Sequence, residues 1–303
     1  MARCIGTLVF DRRTALLEVL PIFLDALSFV LILMLVASGL VIVFGMMGII
    51  NLAHGELFLL GAYTVVVAQG FGAPFWLAAA LAPLVVGMVG LAIEILLVRF
   101  VVHRPLDTIL ATWGLSIAIK QIVVLAFGPG SHSVVVPIDG AITVGAFTYP
   151  AYRIVLMIVA TAVIAGAGYV LVHTRMGLLA RAVIARPDTS ASLGINTGRV
   201  TQVSFAVGAA LAGLSGALVA PLISVDPQMG LGFLVPAFLA ILVGGAGSMS
   251  GLVAGGGLVG SMDSLLSGWV SPVLAQITVF VLAILVIRLR PGGLFPSRGR
   301  GHE

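Results

Sequence analysis

The length of the uncharged apolar runs constrains this chain most. From Pro21 to Phe44, Asp25 is the one charged residue. Comparable segments recur at roughly 57–70, 75–98, 108–127, 152–172, 201–222, 232–246, 252–268 and 271–288. About 20 apolar residues in helical form cross a bilayer core. Lipid offers no hydrogen bonds to an open backbone, so helices or closed barrels are the permitted solutions. A barrel would show short alternating segments, whereas these runs are continuous. Composition agrees: 60% of residues are hydrophobic and 9% charged, and mean hydropathy is +1.24. A soluble domain carries about 25% charged residues. An ordinary cytosolic enzyme, a disordered regulator and a secreted disulfide scaffold are excluded. The expected fold is an all-α polytopic integral membrane protein with about eight or nine transmembrane segments, one glycine-broken early and another late.

Arginine placement orients the spans. Arg99 and Arg104 share one loop, Arg175, Arg181, Arg186 and Arg199 lie in or beside the polar stretch 173–200, and Arg288, Arg290, Arg298 and Arg300 crowd the C-terminus. These three regions are expected in the cytoplasm. The loops 128–150, 222–231 and 268–271 hold no arginine or lysine and are expected outside. Three apolar segments before Arg99 put Arg3, Arg12 and Arg13 outside, unless the stretch 45–56 is re-entrant. The run after Arg12 and Arg13 is too long for a signal peptide and has no clear cleavage site. Cys4 is the single cysteine and forms no intrachain disulfide. The net charge of +4 comes without a basic patch interleaved with aromatics, so nucleic acid is not an expected partner. Trp76, Trp269, Tyr149 and Tyr152 fit an interfacial aromatic belt.

Polar groups inside this background carry the functional signal. The stretch Gly45-Met-Met-Gly48-Ile-Ile-Asn51-Leu-Ala-His54-Gly55-Glu56 breaks an apolar run. Ionisable groups at membrane depth are costly and face cavities or partners. Glycines permit close helix approach or an unwound backbone, a common lining for a substrate path. Asn51, His54 and Glu56 are therefore candidate path residues, with Gly45 and Gly48. The alternative is a wet polar loop at the membrane surface. His54 and Glu56 diverge on a helix and no further ligands cluster nearby, so no metal site is expected. A second break runs Gly244-Gly245-Ala-Gly247-Ser248, then on to Gly251, Gly255 and Gly256. Gly244, Gly245 and Ser248 join the candidate path, though plain helix packing explains such glycines equally well. The pair of glycine-broken regions hints at an inverted internal repeat. The phosphate-binding pattern Gly-x4-Gly-Lys-Ser/Thr is missing, and Lys120 is the sole lysine. Glu94 is expected to snorkel beside Arg99. Asp226 is expected in a solvated loop, and Lys120 and Asp263 lie deeper, as either a structural pair or transport groups.

In the stretch 173–200, Pro187 suits a first helical position, Asp188 favours a helix N-terminus, and Gly194 suits a C-terminal stop. The spacing predicts a short helix over about 187–193 between two spans. It either lies on the membrane or docks into a soluble partner.

Several of these segments resemble a known family. Phe44-Gly-Met-Met-Gly-Ile-Ile-Asn-Leu-Ala-His-Gly-Glu56, Leu60-Gly-Ala-Tyr63, Thr112-Trp-Gly-Leu-Ser116, Ala191-Ser-Leu-Gly-Ile-Asn196, Ala237 to Ser248 and Arg290-Pro-Gly-Gly-Leu-Phe295 are similar to the branched-chain amino acid ABC importer permeases, in order and spacing. Relatives for urea and short amides belong to the same family. The resemblance implies a multi-pass permease of the bacterial inner membrane, without a cofactor or ATPase motif of its own. It implies a second permease subunit (homologous or a second copy), two cytoplasmic ATP-binding subunits and an extracytoplasmic solute-binding protein. By position, Arg181, Arg186, Pro187, Asp188, Ser192 and Gly194 fall in the family's ATPase-coupling loop, although an obvious Glu-Ala-Ala triplet is missing. The implied layout is one permease domain over 1–303, with an N-terminal segment 1–20, a coupling loop 173–200 and a basic cytoplasmic tail 289–303. The implied solute is a branched-chain amino acid, with urea or a short amide as the alternative. An ion-driven secondary transporter and an intramembrane enzyme using His54 and Glu56 are the readings from other classes.

Overall fold

The structure, a computed structural model, describes residues 12–295 except positions 103, 145, 146, 246 and 291; the side chains of 12–19, 144, 147 and 272 also lie outside the description. The N-terminal residues Arg3 and Cys4 and the C-terminal Arg298 and Arg300 fall outside the described residues, as do the side chains of Arg12 and Arg13.

Every expected apolar run is helical. In chain order these are α1 (Arg12–Met47), α2 (His54–Gly70), α3 (Phe75–Ile93), α4 (Arg99–Val101), α5 (Pro105–Phe127), α6 (Ala151–His173), α9 (Thr197–Val219), α10 (Met229–Gly244), α11 (Met249–Ser267) and α12 (Pro272–Leu289). A π-helical stretch, Glu94–Val98, joins α3 to α4 without a break. Two further helices, α7 (Arg175–Ala185) and α8 (Pro187–Ser192), fill the polar stretch after α6. Among the described residues five spans are long and apolar enough to cross a bilayer: α1, α3 with its continuation, α5, α6 and α9. By contrast α2 has 17 residues and α10 has 16. At 1.5 Å per residue each is about 25 Å long, short of the roughly 30 Å core.

Their placement explains the shortness. The Asp25 end of α1 accepts hydrogen bonds from Tyr149 and Arg153 near the start of α6. Helix α2 begins beside Val36, part-way along α1, where His54 Nε2 meets the Val36 carbonyl. It ends where Gln69 exchanges hydrogen bonds with the Val135 backbone. So α2 runs from inside the bundle to the end that holds the 128–150 loop. Helix α10 also starts inside the bundle, but ends at the opposite face, where Gly247 abuts Gly45 at the foot of α1. Helix α9 packs on α1, α2 and α3, while α1 packs on α9, α10 and α11, and α2 lies on α3 as α10 lies on α11. Exchanging α1–α2–α3 with α9–α10–α11 preserves this pattern. Because α2 and α10 leave toward opposite ends, the repeat is inverted. Its counterpart to the 48–53 break is the 220–228 connection, not the 244–251 glycine run on which the sequence expectation rested.

The centre is closed by small residues. A Cβ on Gly39 would overlap the Gly208 carbonyl, and a Cβ on Gly208 would sit 2.8 Å from the Gly39 oxygen. A Cβ on Gly216 would overlap the Phe58 carbonyl, and one on Gly61 would overlap Gly213. Lipid tails are as apolar as leucine, so helices in a bilayer associate through such close van der Waals approach rather than hydrophobic expulsion.

The 128–150 end is knitted by polar contacts. Residues 141–144 and 147–150 pair as an antiparallel hairpin, which the helical reading missed. His132 and Val225 exchange backbone hydrogen bonds of 2.8 and 2.9 Å. Tyr149 and Tyr152 are buried, not lipid-facing as a belt requires; Tyr152 donates to the Leu218 carbonyl at 2.6 Å. Trp76 and Trp269 are exposed, as a belt does require.

Gly216→Val should lower stability by at least about 1–3 kcal/mol, because the Phe58 carbonyl cannot retreat. Gly166→Ala, with open space beyond its Cα, should not destabilise its helix. Thermal unfolding of the purified protein in detergent separates the two.

Candidate translocation site and coupling loop

The break between α1 and α2 is built residue by residue. Gly48 takes φ +66°, a left-handed conformation that ends α1 cheaply only with glycine. Its N–H still bonds the Phe44 carbonyl at 2.8 Å. The Asn51 side-chain oxygen accepts the Ala53 N–H at 3.0 Å, which turns the chain into α2. The Leu52 N–H is met from outside the segment, by the Thr112 hydroxyl of α5 at 3.2 Å.

Asn51, His54 and Glu56 are all buried, at 2%, 0% and 1% exposure. The wet-loop alternative is thereby excluded. They do not converge on one cavity, however. His54 turns to α1, where its Nε2 lies 3.3 Å from the Val36 carbonyl. A carbonyl only accepts, so Nε2 carries the proton. Glu56 turns the other way, to α5: its Oε1 accepts from Ser116 Oγ at 3.0 Å and lies 3.7 Å from Lys120 Nζ. Lys120 thus pairs with Glu56, a partner the sequence did not reveal, and not with Asp263. Asn51 Nδ2, His54 Nδ1 and Glu56 Oε2 are buried without a hydrogen-bond partner. No group of three or more potential metal ligands occurs among the described residues.

Between His54 and Glu56, α2 meets α10. A Cβ on Gly55 would stand 2.7 Å from the Gly230 oxygen, and one on Gly230 would stand 2.5 Å from the Gly55 oxygen. Phe58 and Phe233 pack beside this contact with ring centroids 4.7 Å apart. The amino ends of two short helices therefore abut inside the bundle, with no room for a solute between their backbones.

The second glycine break has a different job. Gly245 and Gly247 take φ of +114° and +80°. Ser248 caps α11 by accepting the Gly251 N–H at 2.8 Å. The carbonyls left free at the end of α10 are taken by the C-terminal segment: Leu294 N–H bonds Val243 O at 2.9 Å, and Phe295 N–H bonds Gly244 O at 2.8 Å. Ser248 donates to the Phe295 carbonyl at 3.2 Å. The sequence segments around Gly244 and around Arg290–Phe295 are thus two halves of one turn assembly. Gly45 joins it, since its Cβ would lie 3.1 Å from Gly247 Cα. A cleft of about 250 Å³ opens here, lined by Gly45, Arg181, Ile184 and Ser248 among others. Of the candidate path residues, Gly45 and Ser248 border it, while Asn51, His54 and Glu56 do not.

The polar stretch holds two helices where one was expected. Helix α7 is capped by the Thr174 hydroxyl, which accepts the Gly177 N–H at 3.2 Å. Helix α8 matches the expected short helix and ends at Gly194, φ +83°. There Gly194 N–H bonds Ala191 O and Ile195 N–H bonds Ser190 O, the paired bonds of a Schellman stop. Arg186, Pro187, Asp188, Ser192 and Gly194 are exposed, and Leu193 is 77% exposed. Arg181 is not free: it donates to the Val172 carbonyl at 3.0 Å and caps the end of α6. Glu94 does not snorkel. It is buried in the π-helical stretch against Gln202 of α9.

Ser248→Ala removes both the α11 cap and the bond to Phe295. It should cost about 1 kcal/mol of stability, whereas Ser267→Ala at the far end of the same helix should stay within about 0.5 kcal/mol. Thermal unfolding in detergent reads the difference.

Residues 22–289 match the profile of a family described as branched-chain amino acid transport system, permease component. The chain is 30% identical to the high-affinity branched-chain amino acid transport system permease protein LivH of Escherichia coli (strain K12), over 86% of this chain and 90% of that one. The LivH of Salmonella typhimurium matches equally, at 30% over the same shares. The corresponding protein BraD of Pseudomonas aeruginosa is 28% identical, again over 86% and 90%. No solved structure matches the chain.

Proposed function

The chain belongs to the branched-chain amino acid transport permease family, and from that premise we propose that it is the membrane subunit of an ATP-driven importer of branched-chain amino acids in a bacterial inner membrane. The observation that carries this reading is a family match running from α1 to α12 without a gap in the architecture. The whole chain then acts as one permease domain, with 173–200 as its coupling loop and 289–303 as a cytoplasmic tail. Energy comes from partner ATPases: the sole lysine, Lys120, is held by Glu56 within a membrane helix and is not available to cradle a nucleotide phosphate. Two ATP-binding subunits, a second permease and an external solute-binding protein complete the assembly.

In this reading the coupling surface is the exposed run 186–194. Arg186, Asp188, Ser192 and Leu193 present side chains to the ATPase, with Pro187 and Gly194 fixing the ends of α8. Arg181 instead holds α7 to α6, so a push on α7–α8 reaches α6 and the cleft beside Gly45 and Ser248. The solute path runs past the meeting of α2 and α10, near Asn51, His54 and Glu56. Here the Gly55–Gly230 contact keeps that path shut, and it opens when the two inverted halves separate. Glycines 45, 48, 244 and 245 supply the backbone freedom for that separation.

Two measurements test this. Alanine at Arg186, Asp188 and Leu193 together should reduce ATP-coupled uptake at least tenfold, a loss of about 1.4 kcal/mol or more in coupling, and weaken co-purification with the ATPase. Retention of both would remove the coupling assignment. Competition of labelled leucine uptake by valine, isoleucine, urea and acetamide in proteoliposomes of the full complex should show the amino acids competing and the amides not. The reverse order would reassign the solute.

A further inference from the structure

Resting on the permease reading, we propose that α5 is an arm carried by α2, tethered through Lys120 and Ser116 to Glu56, so that Lys120 and Ser116 act as positioning residues for the α1–α2 break. Thr108, Thr112, Ser116 and Lys120 recur every four residues and form one stripe along α5. The first three are buried. Elsewhere the helix shows bulky apolar side chains outward, among them Leu110, Trp113, Ile122 and Leu125. Thr108 donates to the Val101 carbonyl at 2.6 Å, at the junction with α4, while the other three face the break and the first turn of α2. Thr112 receives the Leu52 N–H at 3.2 Å, and Ser116 donates to Glu56 at 3.0 Å. Lys120 closes on the same carboxylate oxygen at 3.7 Å. All three attachments fall within residues 52–56.

Outside the stripe, α5 touches α4 and the π-helical stretch near its start and sets Phe127 against Tyr63 at its end, but its apolar burial is slight. Of its apolar side chains only Ile119 and Val123 are buried. In lipid, apolar contact between helices has no solvent-expulsion advantage, while polar contacts have no water to compete with them. The attachment of α5 therefore rests disproportionately on the stripe. The Glu56–Lys120 pair is its strongest link, because separating the two strands a carboxylate that is 1% exposed. A tilt of α2 that keeps the pair must carry α5 with it. A tilt that leaves α5 behind must break the pair and expose the Leu52 N–H to lipid. The first route is far cheaper, so α2 and α5 move as one wall.

The test uses the full-length chain in a Cys4→Ser background with Tyr63→Cys and Phe127→Cys, whose native rings contact at 4.9 Å between centroids at the far end of the same two helices. A short bis-methanethiosulfonate, reversible by thiol, reports whether α2 and α5 stay together. Adding Lys120→Met should lower the cross-linking yield of the folded, monodisperse protein about tenfold. Lys120→Arg, which keeps the cation, should stay within about twofold. Ser116→Ala, the milder variant if Lys120→Met fails to fold, should lower the yield about threefold. Yields that do not respond to Lys120→Met or Ser116→Ala overturn the tether. In the assembled transporter, cross-linking of the two introduced thiols should leave ATP-driven uptake within about twofold of the thiol-treated control. Uptake abolished by the link and restored by thiol would show that the helices must part, and would overturn the arm. The yield needs neither solute nor ATPase, so it decides the tether even if the complex moves no amino acid, an outcome that would remove only the permease reading.

Discussion

A backbone interrupted inside a bilayer has no water to finish its hydrogen bonds, and the rest of this structure is arranged around that shortage. The chain stops being helical at residues 48–53, yet Ile49, Asn51 and Ala53 are buried and none of the six is fully exposed. Three of the donors there are met by groups brought to them. Gly48 reaches back to Phe44, Asn51 turns its side chain onto Ala53, and Thr112 arrives from a different helix to meet Leu52. The other interruption, at 245–248, is met by the chain's own C-terminal segment, whose N–H groups supply what the end of α10 lacks. Polar residues are scarce in this protein because most of it has no use for them. Three of the buried ones, Asn51, His54 and Glu56, stand at a helix break.

The breaks in turn set the glycine pattern. A short helix that begins inside a bundle has to thread between full-length neighbours, and its carbonyls come against theirs. Gly55 against Gly230 and Gly216 against Phe58 are places where a single methyl group would collide with main chain. Since lipid provides no hydrophobic driving force between helices, these approaches are also the source of cohesion. The same residues thus permit the geometry and hold it together. That is why substitution at them strikes stability, while glycines with nothing beyond their Cα, such as Gly166, are free of that demand.

Much of the fold was legible because the bilayer demands long apolar helices, and each expected run became one. The short helix after Arg186 was legible from Pro187, Asp188 and Gly194, whose roles are local. What failed was whatever depends on a partner distant in sequence. Glu56 and Lys120 lie 64 positions apart, and nothing in their spacing joins them. The docking of Leu294 and Phe295 onto Val243 and Gly244 is equally non-local. The inverted repeat was hinted at by glycine runs, but the runs at 45–56 and 244–251 are not its equivalent parts. Equivalence lies in helix order and direction, which composition does not encode. The hairpin at 141–150 was missed for the opposite reason. Ile142-Thr-Val and Phe147-Thr-Tyr flank two residues including a glycine, a strand–turn–strand signal hidden by the expectation of helices everywhere.

Among the described residues six buried side chains end in an unsatisfied polar atom, and three of these lie together at the α1–α2 break: Asn51 Nδ2, His54 Nδ1 and Glu56 Oε2. A structure built only for stability would gain by replacing them, since a buried ion pair rarely beats a well-packed apolar one. A static helix junction needs nothing beyond the bonds already made by Asn51 Oδ1, His54 Nε2 and Glu56 Oε1. The leftover valences are what a junction would hold in reserve if its partners change during a cycle. They cluster where the two inverted halves touch, and two of the three side chains point to different neighbours, α1 and α5. Separation of the halves would therefore present both at once to whatever enters between them. On this argument the groups left incompletely satisfied here are the ones that a separation of the halves would uncover, which is what the proposed path requires of them.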